Sequence, residues 1–91
     1  MTCLEIITLR SATNPEKITI KGLVKKIKAG GVAEGPSELR LYRNALMGND
    51  ISVHIQREVP NGHPEKSPLG LQLARLFSEY GMVSHSLWIE E

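Results

Sequence analysis

Residues 82–91, MVSHSLWIEE, hold the only tryptophan, Trp88, and one of the three histidines, His85. Imidazole is the side chain best placed to move a proton near neutral pH, and an indole offers a flat apolar platform. Read as a strand, however, this stretch sends residues 85 and 88 to opposite faces, so the two cannot act as a pair. His54 lies in ISVHIQREV and His63 in the loop NGHPEK. Three histidines in three separate elements, with no i,i+4 pair and no adjacent carboxylate motif, do not make a metal-ligand set. The single Cys3 excludes an intrachain disulfide and a cysteine-based zinc cage. It precedes the first expected strand with no basic residue close in sequence to stabilise a thiolate. KSPLG (66–70) opens a helix whose free N–H groups attract anions, but every helix has such an end and no P-loop pattern is present.

The totals narrow the field. Ninety-one residues make one domain, 1–91, of a size that buries roughly 60–65% of its extended-chain surface. A chain this small leaves apolar surface for a second copy to cover. Apolar residues make up 41% and charged residues 23%, an ordinary globular balance. Eleven basic residues against ten acidic ones leave a net charge of +1, which is no footprint for nucleic acid. No apolar run approaches the roughly 20 residues of a membrane helix. The opening MTCLEIITLR, with Glu5 inside the apolar stretch and no basic region before it, lacks the pattern of a secretory signal. A cytoplasmic protein is expected.

The elements that must position these side chains follow from periodicity. LEIITLR (4–10) is short and β-branched, a strand. Asn14 and Pro15 read as a helix cap and first turn, and Ile20, Leu23, Val24 and Ile27 recur at helical spacing up to AGG. ITI within it could also be extended, and Gly22 weakens a helix there by about 1 kcal/mol. The lysines of KGLVKKIK read as its solvated side. The loop GVAEGPSE leads to LRLYRN (39–44), the turn ALMGND and the alternating strand ISVHIQREV (51–59). Ser67 and Pro68 open a second helix, LGLQLARLFSEY, with Gly81 past its end and one face made of Leu69, Leu73, Leu76, Phe77 and Tyr80. The last strand is 83–90. The order β-α-β-β-α-β predicts an α+β, ferredoxin-like domain: a four-stranded antiparallel sheet with two helices on one face.

Alternation then sorts the strands. Ile51, Val53 and Ile55 share a face, as do Val83, His85, Leu87 and Ile89, and these belong under the helices. In the first strand Leu4, Ile6 and Thr8 oppose Glu5, Ile7 and Leu9, so both faces carry bulk and both expect cover. The face away from the helices collects Tyr42, Ser52, His54, Ser86 and Trp88. Aromatic and small polar groups mixed in this way suit loose packing against another sheet. Two such sheets face to face form an α+β barrel with four helices outside, so a homodimer is expected. His54 and Trp88 flank the first strand on the order of 10 Å apart, two strand spacings; they can line one cavity without touching. The candidates for ligand contact are therefore His54, Tyr42 and Trp88, each of which also reads as an interface packing group. His85 is the best catalytic candidate, or else a buried histidine hydrogen-bonded to backbone or a tyrosine.

Across nearly the whole chain, LEIITLR, a helix, ELRLYRNALMGNDISVHIQRE, LGLQLARLFSEYG and SHSLWIEE together resemble the dimeric α+β barrel superfamily, and within it the antibiotic-biosynthesis-monooxygenase-like proteins. The resemblance implies a homodimer. It also implies either oxidation of aromatic polyketides or quinols with no metal or flavin, or degradation of haem. The haem-degrading members resemble one another in an Asn on the first strand, a Trp in the middle and a His on the second helix. Here LEIITLR has no Asn, LGLQLARLFSEY has no His and the one Trp is on the last strand, so no catalytic residue carries over.

Two readings remain. One is a cofactor-free monooxygenase-like enzyme acting on an aromatic or quinone-like molecule, with His85, Thr8 or Tyr80 as polar groups in an apolar pocket. The alternative is a non-enzymatic module that binds a small ligand or a protein. RNA binding is disfavoured, because ISVHIQRE lacks stacking aromatics. An enzyme expects an apolar cavity under the helices, of several hundred Å³; a module expects Leu69, Leu73, Leu76 and Phe77 to fill that space.

Overall fold

The computed structural model of the chain describes residues 1–10, 22, 25, 37–47, 50–60 and 64–91. Strands β1 (Thr2–Arg10), β2 (Ser37–Arg43) and β3 (Asp50–Glu58) are followed by helix α1 (Pro68–Phe77) and strand β4 (Met82–Ile89). The helix α1 is the second of the two expected from sequence. Of the first, Gly22 and Lys25 are described and are helical. The rest of that expectation, the loop after it and His63 lie outside the described residues. The strands form one sheet in the order β2-β3-β1-β4, every neighbouring pair antiparallel. This order is compatible with the ferredoxin-like arrangement.

β1 runs through the middle and begins earlier than LEIITLR suggests. Its first residues pair with the end of β3, and Val59 N–H donates to the Met1 carbonyl at 2.9 Å. Cys3 therefore lies inside the strand, fully buried and opposite Arg57, not ahead of it and remote from any cation. Cys3, Glu5, Ile7 and Leu9 are wholly buried on the helix side, joined there by Ile51, Val53 and Ile55 of β3. Leu4, Ile6 and Thr8, on the other side, are half-buried.

The helix is cut to fit this face. Leu69, Leu73 and Phe77, spaced by four, are buried in the same cluster as Ile7, Leu9 and Val53, with Leu76 and Tyr80 packed at its margin. Each such side chain contributes roughly 1.5–3 kcal/mol of hydrophobic stabilisation. Ser67 caps the helix: its extended backbone (φ −71°, ψ 155°) leaves Oγ to accept from Gly70 N–H at 2.9 Å. Pro68 needs no partner for an N–H it lacks. The helix closes at Phe77, short of the expected Tyr80. There Ser78 Oγ donates back to the Arg75 carbonyl at 2.6 Å, and Glu79 and Tyr80 N–H turn to the carbonyls three residues earlier. Such tight bonds end an α-helix. No helix among the described residues is long and apolar enough to cross a membrane.

Leu73 is fully buried and its neighbour Leu71 is exposed. In urea unfolding, Leu73→Ala is expected to lose about 2–5 kcal/mol, and Leu71→Ala to stay within about 0.5 kcal/mol of wild type.

Candidate functional site

Glu5 is the one charged side chain in the described core, with no exposure to solvent. A buried carboxylate is costly unless donors surround it, and here they converge from three elements. Ser67, at the helix cap, donates its backbone N–H to both carboxylate oxygens at 3.2 Å and its hydroxyl to Oε1 at 2.7 Å. His85 Nε2 on β4 lies 2.5 Å from Oε2. Arg57 Nε on β3 lies 3.8 Å from Oε1, an ion pair too long to be a hydrogen bond, and its Nη2 donates to the Glu65 carbonyl, tying down the segment before the helix. The carboxylate thus occupies the positive end of α1.

Sheet register explains why these groups meet. Glu5 pairs with Ile55 on one side and Leu87 on the other, while Arg57 pairs with Cys3 and His85 with Ile7. Arg57 and His85 are therefore diagonal neighbours of Glu5 on the same face, within reach of long side chains. Gly70 completes the fit: a Cβ there would overlap the Glu5 carboxylate. The helix end that attracts anions is filled by the chain's own glutamate.

His85 takes its expected place in the helix–sheet layer, its side chain 8% exposed. Its Nε2 meets Glu5, a residue that spacing did not single out. With the carboxylate accepting, Nε2 is the nitrogen that donates to Oε2. Tyr80 also belongs to this layer. Thr8 does not: it pairs with Ser52 and Ser84 on the opposite face, because residues of odd number in β1 take the helix side.

That opposite, open face holds Tyr42, His54 and Trp88. His54 Nε2 is 3.0 Å from Ser52 Oγ, and Trp88 Nε1 donates to Ser86 Oγ at 3.0 Å, so each ring is steadied by the serine two residues before it. The Tyr42 and His54 rings lie 4.5 Å apart, tilted by 48°. Leu4 pairs with Trp88 on one side and Gln56 on the other, and Ile6 pairs with His54. Trp88 and His54 thus flank β1 two residues out of register. Among the described residues, a pocket of about 250 Å³ is lined by Leu4, Glu38, Arg40, Tyr42, His54 and Gln56. Leu4 and Gln56 also line a second, of about 280 Å³, with Trp88 at its side. Trp88 is 59% exposed and Tyr42 44%.

The charges on this face are local. Arg40 is clamped to Glu38, Nε at 2.7 Å from Oε1; that contact, helped by the Tyr42 hydroxyl, holds the guanidinium proton more tightly than usual. A hydrogen bond from Thr2, with the N-terminal amine nearby, pulls Glu58 below the usual carboxylate range. Burial holds the His54 imidazole below its ordinary value. Among the described residues no group of three or more His, Cys, Asp or Glu side chains is placed to hold a metal ion.

No protein-family model matches the chain, and no curated protein sequence matches it. A solved structure does: that of Rv0793 from Mycobacterium tuberculosis superposes with a TM-score of 0.66 at 13% identity, covering 100% of this chain and 96% of that one. At this identity the likeness shows the fold alone.

Two outcomes are expected. Gly70→Ala forces the Glu5 carboxylate aside and destabilises by about 1–3 kcal/mol. Ser67→Ala exceeds the ordinary cap loss of about 1 kcal/mol, since Glu5 loses a donor too; urea unfolding of both variants checks this. His54 responds to pH through the burial of its imidazole. Its folded-state value is lowered, so the unfolded chain protonates first as pH falls. Its contribution is full above the ordinary histidine value of about 6.5 and is lost as pH drops below that. An NMR titration is expected to place the His54 midpoint below 6.5.

Proposed function

We propose that the chain is a homodimeric α+β barrel protein of the antibiotic-biosynthesis-monooxygenase-like kind. In this reading His85, oriented by Glu5, handles the proton in a cofactor-free oxidation of an aromatic or quinol-like molecule. The observation that carries it is the 2.5 Å contact of His85 Nε2 with a fully buried carboxylate. A carboxylate that fixes one imidazole nitrogen presents the other as a positioned base. Removing a proton from a phenol or an activated methylene gives an anion rich enough in electrons to reduce dioxygen. For a methylene, one oxygen atom becomes the new carbonyl and the other leaves as water with the two hydrogens lost from carbon, so no further reductant is required. The full-length likeness in fold supports the frame. Homodimerisation through the open face is supported by the exposure of Trp88 and Tyr42. A cytoplasmic setting belongs to the same proposal, supported by the free thiol of Cys3.

A second reading has its own observation. Leu69, Leu73 and Phe77 are buried in one apolar cluster beneath α1, and the pockets beside Tyr42, His54 and Trp88 open on the other face. That arrangement favours a non-enzymatic module with its ligand held on the sheet.

Oxygen uptake with a panel of quinols and anthrone-like phenols separates the two. An enzyme consumes oxygen, and His85→Gln, which keeps an N–H for Glu5 but has no base, lowers the rate by about 100-fold or more. Equal uptake by wild type and variant removes His85 from the chemistry. No uptake, with aromatic binding weakened by Trp88→Ala or Tyr42→Ala, establishes the module instead.

A further inference from the structure

We propose that His54 makes closure of the open face on a second copy of the chain sensitive to protonation, the dimer separating as the imidazole takes up a proton. The inference rests on the homodimer reading and adds its regulation. His54 stands beside the middle of the sheet: its cross-strand partners are Ile6, halfway along β1, and Arg40 on β2. A twofold contact joins the same patch on both copies, so an axis through the middle of the face brings each His54 toward the middle of its mate.

Among the described residues no acid is placed to receive an imidazolium there. From β2 the face presents Glu38 and Arg40, which are taken up with each other, and Tyr42, whose ring lies against the imidazole. From β3 it presents Asp50, held by Arg10 at 3.5 Å, and Glu58, held by Thr2 and the N-terminal amine. β1 contributes Leu4, Ile6 and Thr8, with Arg10 at its end, and β4 contributes Ser84, Ser86 and Trp88, all by register. Glu90 lies past β4, its N–H on the Thr2 carbonyl. That is four residues along β1 from the level of His54, roughly 13 Å at strand rise. The charged neighbour nearest by register is Arg40, a cation. In its neutral form His54 accepts or donates with Ser52 and packs against Tyr42 at no electrostatic cost. Protonated, it must lose water without gaining a counter-ion when the second copy closes over it. Burial within the single protomer already disfavours the charged form, and the closing sheet removes more water.

Sedimentation equilibrium of the full chain at about pH 8 and about pH 5.5 brackets the ordinary histidine titration and tests the proposal, with far-UV circular dichroism confirming that the chain stays folded at both. The wild type is expected to dimerise at least about tenfold more weakly at the lower pH, since each unit of pKa difference between protomer and dimer is tenfold per histidine. His54→Gln, which keeps a polar side chain at a half-buried position, is expected to dimerise alike at both. A wild-type dimer indifferent to pH overturns the proton sensitivity and leaves the dimer standing. An equal pH effect in His54→Gln assigns it to another group and also overturns the proposal. A monomer at both pH values, at tens of micromolar, removes the homodimer reading and the inference with it.

Discussion

The arrangement depends on a single buried carboxylate. Glu5 sits in the central strand of an otherwise apolar layer, and the cost of desolvating it is met only where Ser67, His85 and Arg57 all reach it. That requirement fixes more than a charge. It sets the angle at which α1 lands on the sheet, because the cap residue must bring both its N–H and its hydroxyl to one carboxylate. It selects glycine at position 70, where any side chain would collide with the same group. It also decides which nitrogen of His85 faces inward. Buried ion pairs add little net stability against an apolar replacement, but they penalise misplaced partners heavily. Here that penalty binds strands β1, β3 and β4 and the helix into one register.

The two faces of the sheet are finished to different degrees. Under α1, the described side chains interdigitate and leave Cys3, Ile7, Leu9, Val53, Leu73 and Phe77 with almost no contact with water. On the other side, Leu4, Ile6 and Thr8 are only half-covered and Trp88 stands largely in solvent. Yet two of the rings there, His54 and Trp88, are ordered by their own strand, each tied to a serine two residues earlier. A surface that presents fixed aromatic rings over shallow pockets is prepared for contact with a ligand or a second sheet. The proton chemistry proposed for His85 and the assembly proposed for the open face are thus separated by the thickness of one sheet.

Much of this was legible in the sequence, for local reasons. The strict alternation of Ile51, Val53 and Ile55, the Ser67–Pro68 start and the four-residue spacing of Leu69, Leu73 and Phe77 are patterns that a strand or helix imposes on neighbouring residues. So was the division of His85 from Trp88. The Glu5 site was not legible in that way, because Ser67 and His85 lie 62 and 80 residues from Glu5 along the chain and no spacing rule links them. β1 carries bulk on both faces, so alternation alone did not declare that Glu5 points inward. A usable signal did exist. Glu5 shares parity with Ile7 and Leu9, and isolated polar groups in one apolar layer, here Glu5 and His85, must satisfy one another. The glycine at the third position of an otherwise good helix was the other half of that signal. Thr8 was misplaced for the same reason, since choosing the buried parity of β1 decides both residues at once.

The contact on which the rest turns is that of Glu5 with His85 Nε2 inside the helix–sheet layer. Long-range ¹H–¹⁵N NMR spectra of the histidine side chains test it most directly, because the two ring nitrogens report separately which one is protonated. His85 is expected to carry a proton on Nε2, shifted strongly downfield, and Glu5→Gln is expected to change both ring-nitrogen signals while leaving those of His54 in place. A His85 protonated on Nδ1 alone, or one whose signals ignore the Glu5 substitution, would contradict it.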